Sequence, residues 1–306
     1  MRGRPRSGGV RSSADAAFHS PAPRRPLSAL AVSLALASAL SWGVADFAGG
    51  LLSRRLPTLT VTIVSQSAGF AALLVALALR DRPLDHRSFA LGLLAGIGGG
   101  SGLAAFYRAL SLGTMSIVSP LAACGALVPF TISLATGERP APLALAGAAL
   151  ALLGAVGVSA PERRSEVPDR VRAVALAATA AVALGLFTYF LGLGSREGSA
   201  LSTLVGARVG SLGVLVALAL AARAPLRIGR RLLLPVAAVG LCDVGANALF
   251  ALASDRGLLA LVSVAGSLYP VITVVLAHLV LGERLTLLQR GALGVALVGI
   301  CALAGG

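Results

Sequence analysis

The chain has 306 residues, of which 57% are hydrophobic and only 12% are charged, and its mean hydropathy is +0.88. This composition excludes an ordinary soluble domain. Aromatic residues make up 4%, and the apolar runs lack period-two alternation, which disfavours a membrane β-barrel. The runs are about 20 residues long, the length of a helix that crosses a bilayer. We therefore predict an all-α membrane protein, because helices satisfy their own backbone hydrogen bonds in lipid.

The net charge of +14 comes from 26 basic residues, all of them Arg. They concentrate in the N-terminal tail and in short loops, where basic residues orient membrane proteins and contact anionic lipid, so we predict lipid contact and no nucleic-acid partner. The three cysteines are isolated within apolar runs, which supports neither a disulfide framework nor a zinc site. No phosphate-binding GxxxxGK[ST] loop occurs, and we predict no cofactor and no metal. The Arg-only, Ala-rich composition is typical of a bacterial high-GC genome, and hence of a protein of the bacterial inner membrane.

Residues 1–26 are rich in Arg, Ser, Pro and Gly and are predicted to be a disordered tail. Ala37-Ser38-Ala39 resembles a signal-peptidase site, but the apolar run that contains it is too long for a signal peptide, which favours an uncleaved first span. The predicted spans are 27–52, 58–79, 88–110, 114–135, 141–160, 171–194, 199–222, 232–253, 257–280 and 286–304.

An internal repeat divides the chain. Gly137-Glu138-Arg139 recurs 145 residues later as Gly282-Glu283-Arg284, each between two apolar helices, and Gly154 recurs as Gly299. The predicted domains are a first repeat at 27–160, a connecting loop at 161–170 and a second repeat at 171–306. Five spans per half make the halves inverted relative to each other, so the predicted architecture is ten transmembrane helices as two inverted five-helix repeats.

Arginines give divided evidence on topology. The tail and the 80–87 connection favour a cytoplasmic N-terminus, whereas the arginines at 163–172 and 223–231 fall on the opposite side. Since the first helices usually dominate, we predict that both termini are cytoplasmic.

Several motifs together resemble the drug/metabolite transporter superfamily, EamA type. They are the Trp42–Phe47 segment WGVADF, the Tyr107–Gly113 segment YRALSLG, Tyr269-Pro270 and both Gly-Glu-Arg turns. The resemblance covers nearly everything from residue 27 onward. It implies ten spans, a central cavity between the halves, and movement of small metabolites by alternating access. It does not identify the substrate.

Polar residues within the spans are candidates for the binding site, because they are costly in lipid. Arg208 and Asp243 lie near the middle of the seventh and eighth spans, where they would hold the carboxylate and ammonium of an amino acid or related amine. The alternative is a structural ion pair. Trp42 either lines the cavity or belongs to an interfacial belt. The other predicted substrate contacts are Asn247, Gln66 and Tyr269.

Asp46 and His278 are the candidates for proton coupling. Asp46 lies beyond the centre of the first span, where burial favours a neutral, protonatable carboxyl; a polar vestibule or a pair with Arg54 is the alternative. His278 is as readily a hydrogen-bonded packing residue. Glu138 and Glu283 are interpreted as caps of the helix that follows each turn.

These observations favour a transporter of a small molecule, either proton-coupled or facilitative, over an enzyme. A membrane enzyme acting on lipid or isoprenoid would need a cluster of acids or histidines, and the twelve acids form none. A non-transporting scaffold is the remaining alternative, and a homodimer is left open beside a monomer.

Overall fold

A computed structural model of the chain describes residues 29–53, 55–80, 83–112, 124–158, 170–224, 226–282 and 285–305. The regular structure of these residues is helical, without strands. The helices are α1 (Ala29–Ser53), α2 (Thr58–Ala78), α3 (His86–Leu112), α4 (Leu127–Ala135, preceded by a 3₁₀ turn at Cys124–Ala126), α5 (Pro142–Val158), α6 (Arg170–Glu197), α7 (Ala200–Ala221), α8 (Arg230–Arg256), α9 (Leu259–Gly266), α10 (Tyr269–Leu281) and α11 (Leu287–Gly305).

Eight of the described segments are long and apolar enough to cross a membrane, with α9 and α10 counted as one. Two shorter apolar helices, Cys124–Ala135 and Pro142–Val158, complete the set. Every predicted span contains a helix, and the prediction of an all-α membrane protein is confirmed at this level. The predicted tail at 1–26 lies outside the described residues, as does the 161–170 loop except for Arg170, which begins α6.

The predicted ninth span is two helices. A turn at Ser267 and Leu268 separates α9 from α10, and Pro270 lies in the first turn of α10. Proline is tolerated there because the backbone N–H that it lacks would have no helical partner. Pro129 occupies the first turn of α4 in the same way. Pro120 lies outside the described residues.

Glycines allow helix backbones to approach closely. Gly92, Gly96 and Gly100 lie against the backbone of α7, while Gly98 and Gly102 lie against α6. Helix α3 continues unbroken through this glycine run. Close packing therefore explains the run, as it explains small residues at membrane helix interfaces in general.

Helix α8 shows the same principle. A Cβ atom on Gly240 would collide with the backbone carbonyl of Ser65 on α2, whereas a Cβ on Gly245 would meet nothing within 4 Å. The two helices thus require glycine at one position of α8 and not at the other.

Large apolar side chains lie mostly on the outside. Leu79, Leu287 and Val171 are 82–85% exposed, whereas the buried positions are dominated by alanine. Lipid is as apolar as leucine, so burying Leu brings no hydrophobic gain, and small residues at the helix contacts bring backbones together.

The glycine of each Gly-Glu-Arg turn has a positive φ angle. Gly137 has φ +108° and Gly282 has φ +69°, a region that glycine reaches without a Cβ clash. Gly282 is the C-terminal cap of α10, whereas Gly137 follows Thr136, the cap of α4. The N–H of Glu138 bonds to the carbonyl of Ser133 at 3.0 Å. The second turn continues into Glu283 and Arg284, which lie outside the described residues.

Candidate functional site

A buried ion pair lies at the middle of the bundle. Arg208 of α7 and Asp243 of α8 are joined by a 2.5 Å contact between Nη2 and Oδ2. The Arg208 side chain is 6% exposed and that of Asp243 is 30% exposed. The two charged residues that the sequence singled out are therefore in contact, and in this state their charges neutralise each other. A buried cation needs such a partner, since an uncompensated charge in the interior is strongly unfavourable.

Polar groups from three helices surround this pair. Asn247, one turn along α8, donates from Nδ2 to the backbone carbonyl of Asp243 at 2.7 Å. Its Oδ1 is buried and has no hydrogen-bond partner among the described residues. On the other side, Gln66 of α2 accepts a 2.6 Å hydrogen bond from Ser211, one turn beyond Arg208 on α7. Predicted residues from distant parts of the chain thus share one polar region.

Three aromatic rings form a second part of the site. The Trp42 ring lies 5.5 Å from the Phe250 ring, centroid to centroid, and 6.3 Å from the Tyr269 ring in an edge-on arrangement. Together they bound a cavity of about 50 Å³. Trp42 therefore lines a cavity. The remaining lining residues are Gly125, Ala126, Leu184, Thr188, Ser263, Gly266 and Ser267.

Ser263 distinguishes this cavity from a simple packing gap. It is 3% exposed, and its Oγ has no hydrogen-bond partner among the described residues. The neighbouring hydroxyls of Ser267 and Thr188 bond to carbonyls of their own helices. A buried hydroxyl without a partner is unfavourable, so Ser263 is available to a molecule in the cavity.

Asp46 lies one helical turn beyond Trp42 on α1 and is exposed. Its carboxylate interacts electrostatically with Asp243 and with Tyr269, so it is near both parts of the site. His278 does not lie near both parts of the site, because it is exposed in the last turn of α10. Nine residues of helix separate it from Tyr269, a rise of about 13 Å.

Sequence reasoning did not identify Phe250, Ser263, Ser267 or Thr188 as lining residues. Serine and threonine are common in membrane helices, where they bond to the preceding turn, and nothing in the sequence distinguishes Ser263 from the others. For metals, the described residues contain no group of three His, Cys, Asp or Glu side chains that could hold an ion.

The helices and the polar site within them define a multi-pass membrane protein. A family model described as the EamA-like transporter family matches residues 29–160 and 171–305. The chain belongs to this family, and the resemblance inferred from the sequence motifs is confirmed. The family is a transporter family, and its two matches correspond to a two-repeat architecture.

Solved structures support the fold independently. Matches extend to 29 chains of such structures. One of them, titled only "Crystal structure of protein", is 22% identical with a TM-score of 0.70, and the alignment covers 90% of this chain and 96% of that one. No curated protein sequence matches the chain.

Proposed function

We propose that the protein is a secondary transporter of the bacterial inner membrane that moves an amino acid or a related small amine by alternating access. In this proposal ten spans form two inverted five-helix halves, and the substrate binds between them at mid-depth. The observation that carries the proposal is the two-part site, in which a buried ion pair and an unpartnered amide oxygen lie near an aromatic cavity.

The ion pair suits a substrate that carries both charges. A zwitterion offers a carboxylate to Arg208 and an ammonium to Asp243, so each protein charge exchanges one partner for another. No buried charge is then left without a partner at any stage. The exchange therefore avoids the large free-energy cost of an unpaired charge in a low-dielectric interior. The Oδ1 of Asn247, which has no hydrogen-bond partner among the residues that the structure describes, is a further acceptor for an ammonium N–H.

The aromatic cavity suits a short side chain. Its volume of about 50 Å³ corresponds to roughly three or four water-sized groups. The rings of Trp42, Phe250 and Tyr269 offer apolar contact and attract cations over their faces. Ser263 adds one hydrogen bond. This combination favours a small molecule with a compact apolar or weakly polar part.

Asp46 is the proposed proton carrier. Its carboxylate lies near Asp243, and two like charges disfavour each other, so one proton between them stabilises the site. An arriving ammonium group has the same effect. The proton and the substrate would therefore compete for the negative charge of these two carboxylates, or would bind to it in turn.

Flux in sealed vesicles tests the proposal. Purified protein is reconstituted in liposomes that hold a pH-sensitive dye, and amino acids, amines and other small metabolites are supplied in turn. We expect one class to move protons, and Asp46→Asn to abolish that movement while labelled solute still binds. Asp255→Asn, an exposed carboxylate near the end of α8, is the matched control and should leave flux unchanged.

Two other results would be decisive. If labelled solutes equilibrate without proton movement, the protein is a facilitator and the role of Asp46 is refuted. If no compound moves protons and none equilibrates, the transport proposal itself fails.

A further inference from the structure

Glu138 makes an unusual set of contacts at one end of the bundle. Its carboxylate follows the turn between α4 and α5 and is 11% exposed. Oε1 accepts a hydrogen bond from the backbone N–H of Leu259, and Oε2 accepts one from that of Ala260, both at 2.9 Å. These are the first two residues of α9. A carboxylate at a helix N-terminus satisfies free N–H groups and interacts favourably with the helix dipole.

The same carboxylate holds a third element. Arg196, the penultimate residue of α6, contacts Oε1 through Nη1 at 2.5 Å. Glu138 therefore joins a turn of the first predicted repeat to two helices of the second. We predicted that it caps the helix that follows its own turn, and this is wrong: the capped helix begins 121 residues further along the chain.

These contacts lie close to the cavity along α9. Ser263, whose hydroxyl lines the cavity, follows Leu259 by four residues on α9. Four residues of α-helix rise about 6 Å. Separation of Glu138 from the start of α9 would therefore open a short path to the cavity from this end of the bundle, here termed the Glu138 face.

Opening this face carries a specific cost. Leu259 and Ala260 are 1% and 0% exposed, so release of Glu138 breaks two charge-assisted hydrogen bonds that water does not reach in the closed state. Leaving such donors unpaired is unfavourable, more so than the loss of an exposed contact. The neighbouring pair Arg87–Glu197 differs, because its side chains are 74% and 35% exposed, and water replaces such a pair at little cost.

We propose that Glu138, with Leu259, Ala260 and Arg196, forms a latch that keeps the cavity closed on the Glu138 face, and that its release is a step of the transport cycle. The inference rests on the alternating access proposed above. It assigns to Glu138 a conformational role, without contact to the substrate.

Accessibility of a single cysteine tests the latch without knowledge of the substrate. Cys124, Cys242 and Cys301 are replaced by serine, and Ser263→Cys supplies the reporter. A membrane-impermeant sulfonated maleimide is applied to right-side-out and to inverted membrane vesicles. We expect Glu138→Gln to raise the labelling rate from the Glu138 face roughly tenfold, the factor expected for loss of one charge-assisted hydrogen bond.

The same variant should lower labelling from the opposite face, because the two open states compete for one population. A rise from both faces would indicate loosened packing and would overturn the latch, as would an unchanged rate. Arg196→Gln should give a smaller rise, since both backbone hydrogen bonds to Glu138 remain. Glu197→Gln is the matched control on the same face and should have no effect.

The unaltered reporter protein separates this inference from the proposed function. Labelling from both faces supports alternating access, and an unchanged Glu138→Gln rate then refutes the latch alone. Labelling from one face in every variant, with no flux of any solute, refutes both.

Discussion

Removal of Asp243 should destabilise the protein through the charge that it leaves behind. In Asp243→Asn, Arg208 keeps its charge with a side chain that is 6% exposed. Breaking a fully buried pair on one side costs about 3–5 kcal/mol. Asp243 is 30% exposed, so water reaches the position of the lost carboxylate and reduces this cost. We expect the free energy of unfolding to fall by about 2–3 kcal/mol. The double variant Asp243→Asn/Arg208→Gln should recover most of the loss, because no charge remains buried.

The assay is equilibrium unfolding of the detergent-solubilised protein, followed by tryptophan emission. Trp42 is the only tryptophan and lies beside Phe250 and Tyr269, so its emission reports on the site. Glu197→Gln, which breaks the exposed pair with Arg87, should cost at most about 1 kcal/mol. Equal losses in Asp243→Asn and Glu197→Gln, or a double variant no more stable than the single one, would refute the argument.

Three further predictions concern packing, the cavity and pH. Gly240→Ala should destabilise the protein by roughly 1–3 kcal/mol in the same unfolding assay, whereas Gly245→Ala on the same helix should be neutral or stabilising; equal effects would contradict the packing. Ser263→Ala should leave stability unchanged or raise it, yet weaken substrate binding measured with labelled solute, and unaltered binding would exclude the hydroxyl from the site. Hydrogen bonds from Ser88 lower the pKa of Asp85. The cap that Asp85 forms on α3 therefore contributes stability above the ordinary pKa of Asp, and this stability is lost as pH falls through the lowered pKa. Hydrogen exchange at the Ser88 amide should accelerate there relative to an unprotected amide at the same pH, and in Asp85→Asn this acceleration should disappear.

The helices and the repeat were predictable because they follow from local properties of the chain. An apolar run of about 20 residues must be helical in lipid whatever its neighbours are. A turn that needs positive φ selects glycine, so Gly137 and Gly282 marked the same turn in both halves before any coordinates. The break before Tyr269 was less predictable, since Pro270 indicates a disturbed helix without showing where it separates.

The polar site was predictable in part. A charge within an apolar span requires a partner, so Arg208 and Asp243 were expected near each other. Counting from the end of its own span placed each residue near the middle of the membrane, so the two were expected at the same depth. Which other residues face them depends on the rotation of each helix, which uniform Ala/Leu/Val/Gly runs do not define.

Sequence alone thus determined the membrane class, the repeat and the family, all of which are written in composition and order. Only the tertiary structure decided that the Oγ of Ser263, beside the aromatic rings, has no hydrogen-bond partner among the described residues. Only it showed that Glu138 caps a helix of the other half and not its own neighbour. The physical reason is the same in both cases: the groups that come within hydrogen-bond distance across the bundle depend on how the helices pack, and this packing leaves no local trace in the sequence.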